Sequence, residues 1–204
     1  MKRWKVGILL FDDVEVLDFA GPFEVFAVTA AKRDDGERYS PFEVTTISED
    51  GQKITARNGL KVQPDYSFEL APVYDLLVIP GGMGTRGLVY NKVVVAWIAK
   101  RFAEVQWMTS VCTGSFLLAE AGLLEGKRAT THWESIERMR DTYPAVIVEE
   151  NVKFIDEDRI VTSAGISAGI NMAFHMVSRL LGIEVAKETA RTMEYDIELD
   201  ADRN

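Results

Sequence analysis

Apolar positions along the chain alternate between two rhythms: short unbroken runs, and longer stretches in which they recur every three or four residues. Val6–Phe11 is an apolar run that ends at Asp12 and Asp13 and reads as a first buried strand. Pro22 suits a first helical turn, and Phe23, Val25, Phe26, Val28, Ala30 and Ala31 extend that helix to about Arg33. Phe42–Ile47 is a second strand, and Asn58-Gly59 between Lys53–Ala56 and Leu60–Val62 is a hairpin signal. Leu76–Ile79 is wholly apolar and runs into Pro80-Gly81-Gly82, as a central parallel strand does when it meets a permissive loop.

The second half repeats the theme. Helical period over Asn91–Glu104 precedes a strand at Trp107–Val111, and a helix from Thr113 is stopped by Gly122. Arg128–Thr131 reads as a short strand and Trp133–Asp141 as a helix. Val146–Val148, Val152–Ile155 and Arg159–Thr162 read as strands, and helices over Ser167–Leu181 and Ile183–Tyr195 follow. An acidic tail, Ile197–Asn204, closes the chain. This alternation predicts one α/β domain over residues 1–204, core about 4–195, with a mainly parallel sheet. In such sheets the site lies beyond the carboxyl ends of the strands, at a topological switch point. Three strand ends carry unusual residues: Phe11 into Asp12–Asp18, Ile79 into Gly81-Gly82, and Val111 into Cys112.

Composition narrows the setting. Hydrophobic residues make up 47% and charged residues 27%, as in globular proteins. The formal charge is -9 and the Lys and Arg residues are scattered, so a nucleic-acid partner is not expected. No apolar run approaches the roughly 20 residues of a membrane span, and no signal peptide is evident. One cysteine and two histidines make neither an internal disulfide nor a zinc set. These features predict a cytoplasmic protein without metal, cofactor or membrane partner.

Candidate chemistry begins at Ser110-Val111-Cys112-Thr113-Gly114, where a strand enters and a helix leaves. This is the cysteine form of a nucleophile elbow, and a thiol at a helix N-terminus is expected to favour the thiolate. A buried structural thiol accounts for the local pattern equally well. Gly81 and Gly82 are placed to turn backbone amides toward an oxyanion, together with the amide of Thr113; an ordinary glycine-rich turn is the alternative. Asp18, between Leu17 and Phe19, is a carboxylate that can exchange a proton with Cys112 if it lies near it. His132 is a candidate proton carrier or pocket wall, with a structural role as the alternative.

Taken together, these segments are similar to the ThiJ/PfpI superfamily, whose fold is flavodoxin-like and related to class I glutamine amidotransferases. The likeness runs from Val6 to about Tyr195 and rests on Leu17–Glu24, Val78–Gly82, Thr109–Ser115, Ala121–Leu124, Arg128–Trp133 and Ala164–Ile170. It is nearest to the isonitrile hydratase branch and to the sensor domains of AraC-type regulators. The resemblance implies a three-layer α/β/α sandwich and a homodimer. It also implies Cys112 as nucleophile, Asp18 as its acidic partner and Thr113 as its positioning neighbour. Glu15 falls where the wider superfamily keeps a glutamate, so two candidate acids remain.

By that resemblance the reaction adds water to a small-molecule isonitrile and gives an N-substituted formamide. The thiolate attacks the terminal carbon, nitrogen is protonated, and water displaces the sulfur. Glyoxalase, deglycase or protease chemistry would use the same sulfur, although Thr113 after the cysteine favours the hydratase or sensor branch. A cysteine-oxidation sensor is an alternative outside catalysis. The AraC-type relatives carry a following helix-turn-helix domain for which this chain has no room, so a DNA-binding regulator is not expected.

Overall fold

The computed structural model describes residues 2–197; the acidic tail from residue 198 onward lies outside them. Seven strands form the main sheet: β1 (Trp4–Leu9), β2 (Phe42–Ser48), β3 (Tyr66–Ser67), β4 (Leu76–Ile79), β5 (Trp107–Val111), β6 (Phe154–Glu157) and β7 (Ile160–Ser163). Their spatial order is β6-β7-β5-β4-β1-β2-β3. Every neighbouring pair is parallel except β6 with β7. All four side chains of β4 are buried. Each such side chain contributes about 1.5–3 kcal/mol relative to exposure. Burial on both faces explains why this strand shows no alternation.

Among the described residues there are seven α-helices, on the sheet or packed against those that are: α1 (Val16–Val28), α2 (Thr85–Leu88), α3 (Lys92–Glu104), α4 (Gly114–Glu120), α5 (Ile136–Thr142), α6 (Ala168–Leu181) and α7 (Ile183–Thr192). Helix α1 packs against α6 and α7, while α3 packs against α4. The result is the α/β domain with a mainly parallel sheet that the alternation predicts, in the flavodoxin-like sandwich that the resemblance implies.

Two local readings, both at the ends of α1, need correction, and one short strand carries no mark in the sequence pattern. Helix α1 begins six residues before Pro22, which sits inside it. With no N–H to give, Pro22 leaves the carbonyl of Asp18 without its usual partner four residues on. The helix also ends at Val28. Ala31–Lys32 instead pairs antiparallel with Arg38–Tyr39, so the apolar Ala30-Ala31 pair continues no helix. The Thr29 hydroxyl donates back to the Val25 carbonyl at 2.6 Å, an alternative to continuing the backbone ladder. Finally, β3 has only two residues and finds its place through pairing with Ile47 and Ser48 of β2.

The expected hairpin around Asn58-Gly59 is present, with Ile54–Thr55 opposite Lys61–Val62. Asn58 itself takes a left-handed backbone, which asparagine tolerates.

Candidate active site

Cys112 follows β5 directly and stands at φ 56, a left-handed conformation that costs a non-glycine residue about 1–2 kcal/mol. Its neighbours hold it there. The Cys112 N–H donates to the carbonyls of Ser163 (3.1 Å), the last residue of β7, and Ala164 (3.3 Å), the next one. Its own carbonyl accepts from the hydroxyls of Thr131 (2.9 Å) and Ser115 (3.1 Å). Gly114 allows the turn to pack, because a Cβ there would overlap the Ile79 carbonyl at the end of β4. The elbow is therefore a constrained turn across three neighbouring strand ends.

Those ends converge as the switch-point argument requires. Val14 pairs with Gly82 in an isolated antiparallel bridge, bringing the loop after β1 onto the loop after β4. The Gly81 N–H donates to Oδ2 of Asp18 at 3.0 Å, and the Gly82 N–H donates to Oγ1 of Thr113 at 3.0 Å. The Thr85 hydroxyl donates to the same Thr113 oxygen at 3.0 Å. Gly81 must be glycine, since a Cβ would come within 2.9 Å of the Asp18 carboxylate and 2.7 Å of Oγ1 of Thr113. The two loop amides expected to face an oxyanion thus have other partners: they fix Asp18 and Thr113. The physical reason is burial, which leaves few unpaired backbone donors.

Asp18 is wholly buried. Burial pushes its carboxyl up to about 7, partly opposed by the Gly81 hydrogen bond, with the Glu15 charge adding to the rise. Its Oδ1 has no donor in hydrogen-bond geometry. The Cys112 thiol is close enough to interact with the carboxyl group, although no regular hydrogen bond joins them.

The thiol departs from expectation. Cys112 is only 6% exposed, and burial pushes its pKa above the ordinary range. The charge of Asp18 acts in the same direction, while hydrogen bonds from the backbone and side chain of Thr113 act against it. The helix end that was expected to favour a thiolate belongs to α4, which has only seven residues. Desolvation outweighs the dipole of this short helix and favours the neutral thiol over the thiolate.

Glu15 is not at the sulfur in the same way. Its Oε2 lies 3.7 Å from Nε of Arg57, and its N–H donates to the Gly81 carbonyl at 2.9 Å. It lines the cavity, while Asp18 is buried outside that lining and interacts with the cysteine. His132 also lines the cavity, its Nδ1 accepting from the Glu134 N–H at 3.3 Å. That bond assigns the remaining ring N–H to Nε2. Gly165 lies between this ring and the sulfur: a Cβ on it would overlap the ring and stand 3.1 Å from Sγ. His175 lies elsewhere, with Nε2 bonded to Asp156 at 2.7 Å.

The cavity above Cys112 has a volume of about 290 Å³. Its lining includes Arg57, Arg86, Arg138 and Ile166, none of which the sequence singles out. No local pattern marks them, because they arrive from four separate elements. Among the described residues no group of three or more His, Cys, Asp or Glu is placed to hold a metal ion. None of these helices is long and apolar enough to cross a membrane.

A cysteine on a strained strand-to-helix turn, with a buried acid beside it at a switch point, marks a family, and the comparison with family models decides which. Residues 4–179 match the DJ-1/PfpI family model. The chain belongs to the DJ-1/PfpI family. Isonitrile hydratase from Pseudomonas putida is 34% identical over 191 residues, covering 94% of this chain and 78% of that protein. The HTH-type transcriptional regulator GbdR from Pseudomonas aeruginosa is 29% identical over 191 residues, and this chain spans 50% of its length. Among solved structures, a ThiJ/PfpI family protein from Pseudomonas syringae superimposes with a TM-score of 0.84 at 26% identity. That match covers 99% of this chain and 79% of the other.

Proposed function

We propose that this DJ-1/PfpI protein is a cysteine-dependent hydratase that adds water to a small isonitrile and releases the N-substituted formamide. The observation that carries the reading is the pairing of Cys112 with Asp18, a buried carboxyl group titrating at about 7. Such a group is suited to give and take protons near neutral pH. The 34% identity to an isonitrile hydratase over 94% of the chain supports the choice of substrate.

The proton inventory follows from the resting thiol. As the sulfur attacks the terminal isonitrile carbon, its proton passes to Asp18, which returns it to that same carbon. One S–C and one C–H bond have formed, giving a thioimidate; protonation at carbon replaces the protonation at nitrogen expected above. Asp18 next takes a proton from water as the water oxygen adds to the carbon, and passes that proton to the nitrogen. The C–S bond then breaks, the formamide leaves, and the sulfur regains its proton. Thr113 holds the Gly82 loop and hydrogen-bonds toward the sulfur, and His132 supplies a polar wall.

A peroxide-sensing role draws less support. Sensor cysteines are accessible and carry a depressed pKa, whereas Cys112 is buried with a raised one.

The test is formamide production from cyclohexyl isonitrile, with methylglyoxal and a small peptide as controls. The wild-type protein is expected to form formamide, Cys112→Ala to form none, and Asp18→Asn to be slower by about 100-fold or more. No formamide from any isonitrile removes this reading.

A further inference from the structure

The cavity over Cys112 contains two arginines that the water-addition steps leave unused. Arg138 is on α5 and Arg86 on α2, and both line the cavity beside Cys112, Thr113 and His132. The Nε of Arg138 is buried without any partner. The guanidinium lies 4.1 Å from the Phe116 ring centroid, a contact that supports the cation but satisfies none of its N–H donors. Neither arginine forms an ion pair among the described residues.

The two cations also act on one another. Arg138 titrates lower than an ordinary arginine, first through burial and then through the charge of Arg86. The remaining charges of the cavity do not neutralise them. Glu15 is engaged by Arg57 at 3.7 Å, and Glu134, 65% exposed, lies 3.9 Å from Nδ1 of His132. Two guanidinium groups in one cleft with no ion pair among the described residues, in a chain of formal charge -9, are a feature the fold alone does not require. A bound anion would supply the missing acceptors for Arg138 and relieve its repulsion with Arg86.

We infer that the cavity takes substrates bearing a carboxylate, held by Arg138 and Arg86 while the reactive carbon faces Cys112. This rests on the hydratase reading for the reaction, and it makes the natural substrate a carboxylate-bearing isonitrile rather than a purely apolar one.

Alkylation of Cys112 tests the arginines without depending on turnover. Iodoacetate and iodoacetamide share a leaving group and size and differ in charge, and Cys112 is the only cysteine. In each case sulfur displaces iodide and the thiol proton goes to solvent. The iodoacetate-to-iodoacetamide rate ratio for the intact protein is expected to exceed that of free cysteine by about tenfold or more. Arg138→Met and exposed Arg86→Met should each lower the ratio by about threefold or more, and Arg138→Lys should recover part of it. A wild-type ratio equal to that of free cysteine overturns the inference.

Turnover of isocyanoacetate against its methyl ester then separates the two readings. Preference for the acid supports both. Equal turnover, or preference for the ester, overturns the carboxylate and leaves the hydratase. A high alkylation ratio with neither of these compounds nor cyclohexyl isonitrile turned over upholds the anion site and overturns the hydratase.

Discussion

The backbone N–H of Gly81 donates to Oδ2 of Asp18 at 3.0 Å, joining residues 63 positions apart in sequence. This bond ties the loop after β4 to the first turn of α1 and holds a carboxyl group in a fully buried place. It lowers the pKa of Asp18, but burial prevails and leaves it at about 7.

That balance has a sign for stability. The folded pKa of Asp18 is raised from 3.8 to about 7, so the native state holds a proton that the unfolded chain has lost across this window. The contribution of Asp18 is full below about pH 4 and declines as pH rises towards 7. The ceiling is about 4 kcal/mol, at about 1.4 kcal/mol per pH unit. Asp18→Asn keeps an acceptor for Gly81 and removes the titration. Urea unfolding at pH 5 and pH 8 should show wild type gaining on Asp18→Asn at the lower pH. An equal difference at both values contradicts a raised pKa.

The thiol is expected to stay protonated at neutral pH. Ultraviolet thiolate absorbance, taken as the difference between wild type and Cys112→Ala, should be absent at pH 8. Asp18→Asn removes a negative neighbour and should shift the thiolate transition to lower pH. A wild-type thiolate signal already complete at pH 7 would refute the account of the resting state.

Backbone strain at the elbow is separable from sulfur chemistry. Because Cys112 stands at φ 56, Cys112→Gly should be more stable than Cys112→Ala by about 1 kcal/mol. Chemical denaturation of the two inactive variants measures this directly. The glycine variant being the less stable would mean the turn carries no strain.

Gly165 separates sulfur from imidazole. In Gly165→Ala the added methyl displaces the His132 ring and crowds Sγ. Overpacking of this kind costs about 1–3 kcal/mol, and misplacement by about 1 Å can cost 100-fold in rate. Turnover is therefore expected to fall by about tenfold or more while the variant remains folded by circular dichroism. Full activity in this variant would remove the functional coupling of His132 to Cys112.

The strand ends that build the site were legible because each carries a local signature: an apolar run followed by acids, by Gly-Gly, or by a small-residue elbow. Leu76–Ile79 and Trp107–Val111 have the same limits in the sequence pattern and in the fold. Helix α1 was harder to read, since Pro22 resembles a first-turn proline and local pattern does not show tertiary packing that tolerates it seven residues in. Arg86 and Arg138 were invisible because their meeting is a long-range product of α2 and α5. The balance at the thiol is hidden for a different reason. A helix end is visible in sequence, but the depth at which the sulfur is buried is not, and depth determines the sign.

The most direct test of the paired Cys112 and Asp18 is rapid quench of the protein with a small isonitrile, followed by mass spectrometry of the peptide bearing the only cysteine. The account predicts a transient adduct on Cys112 of the isonitrile's full mass, because S–C and C–H bonds form with nothing lost. That adduct should decay as formamide appears, and it should accumulate more slowly in Asp18→Asn. Formamide released at the wild-type rate by Cys112→Ala would contradict the account.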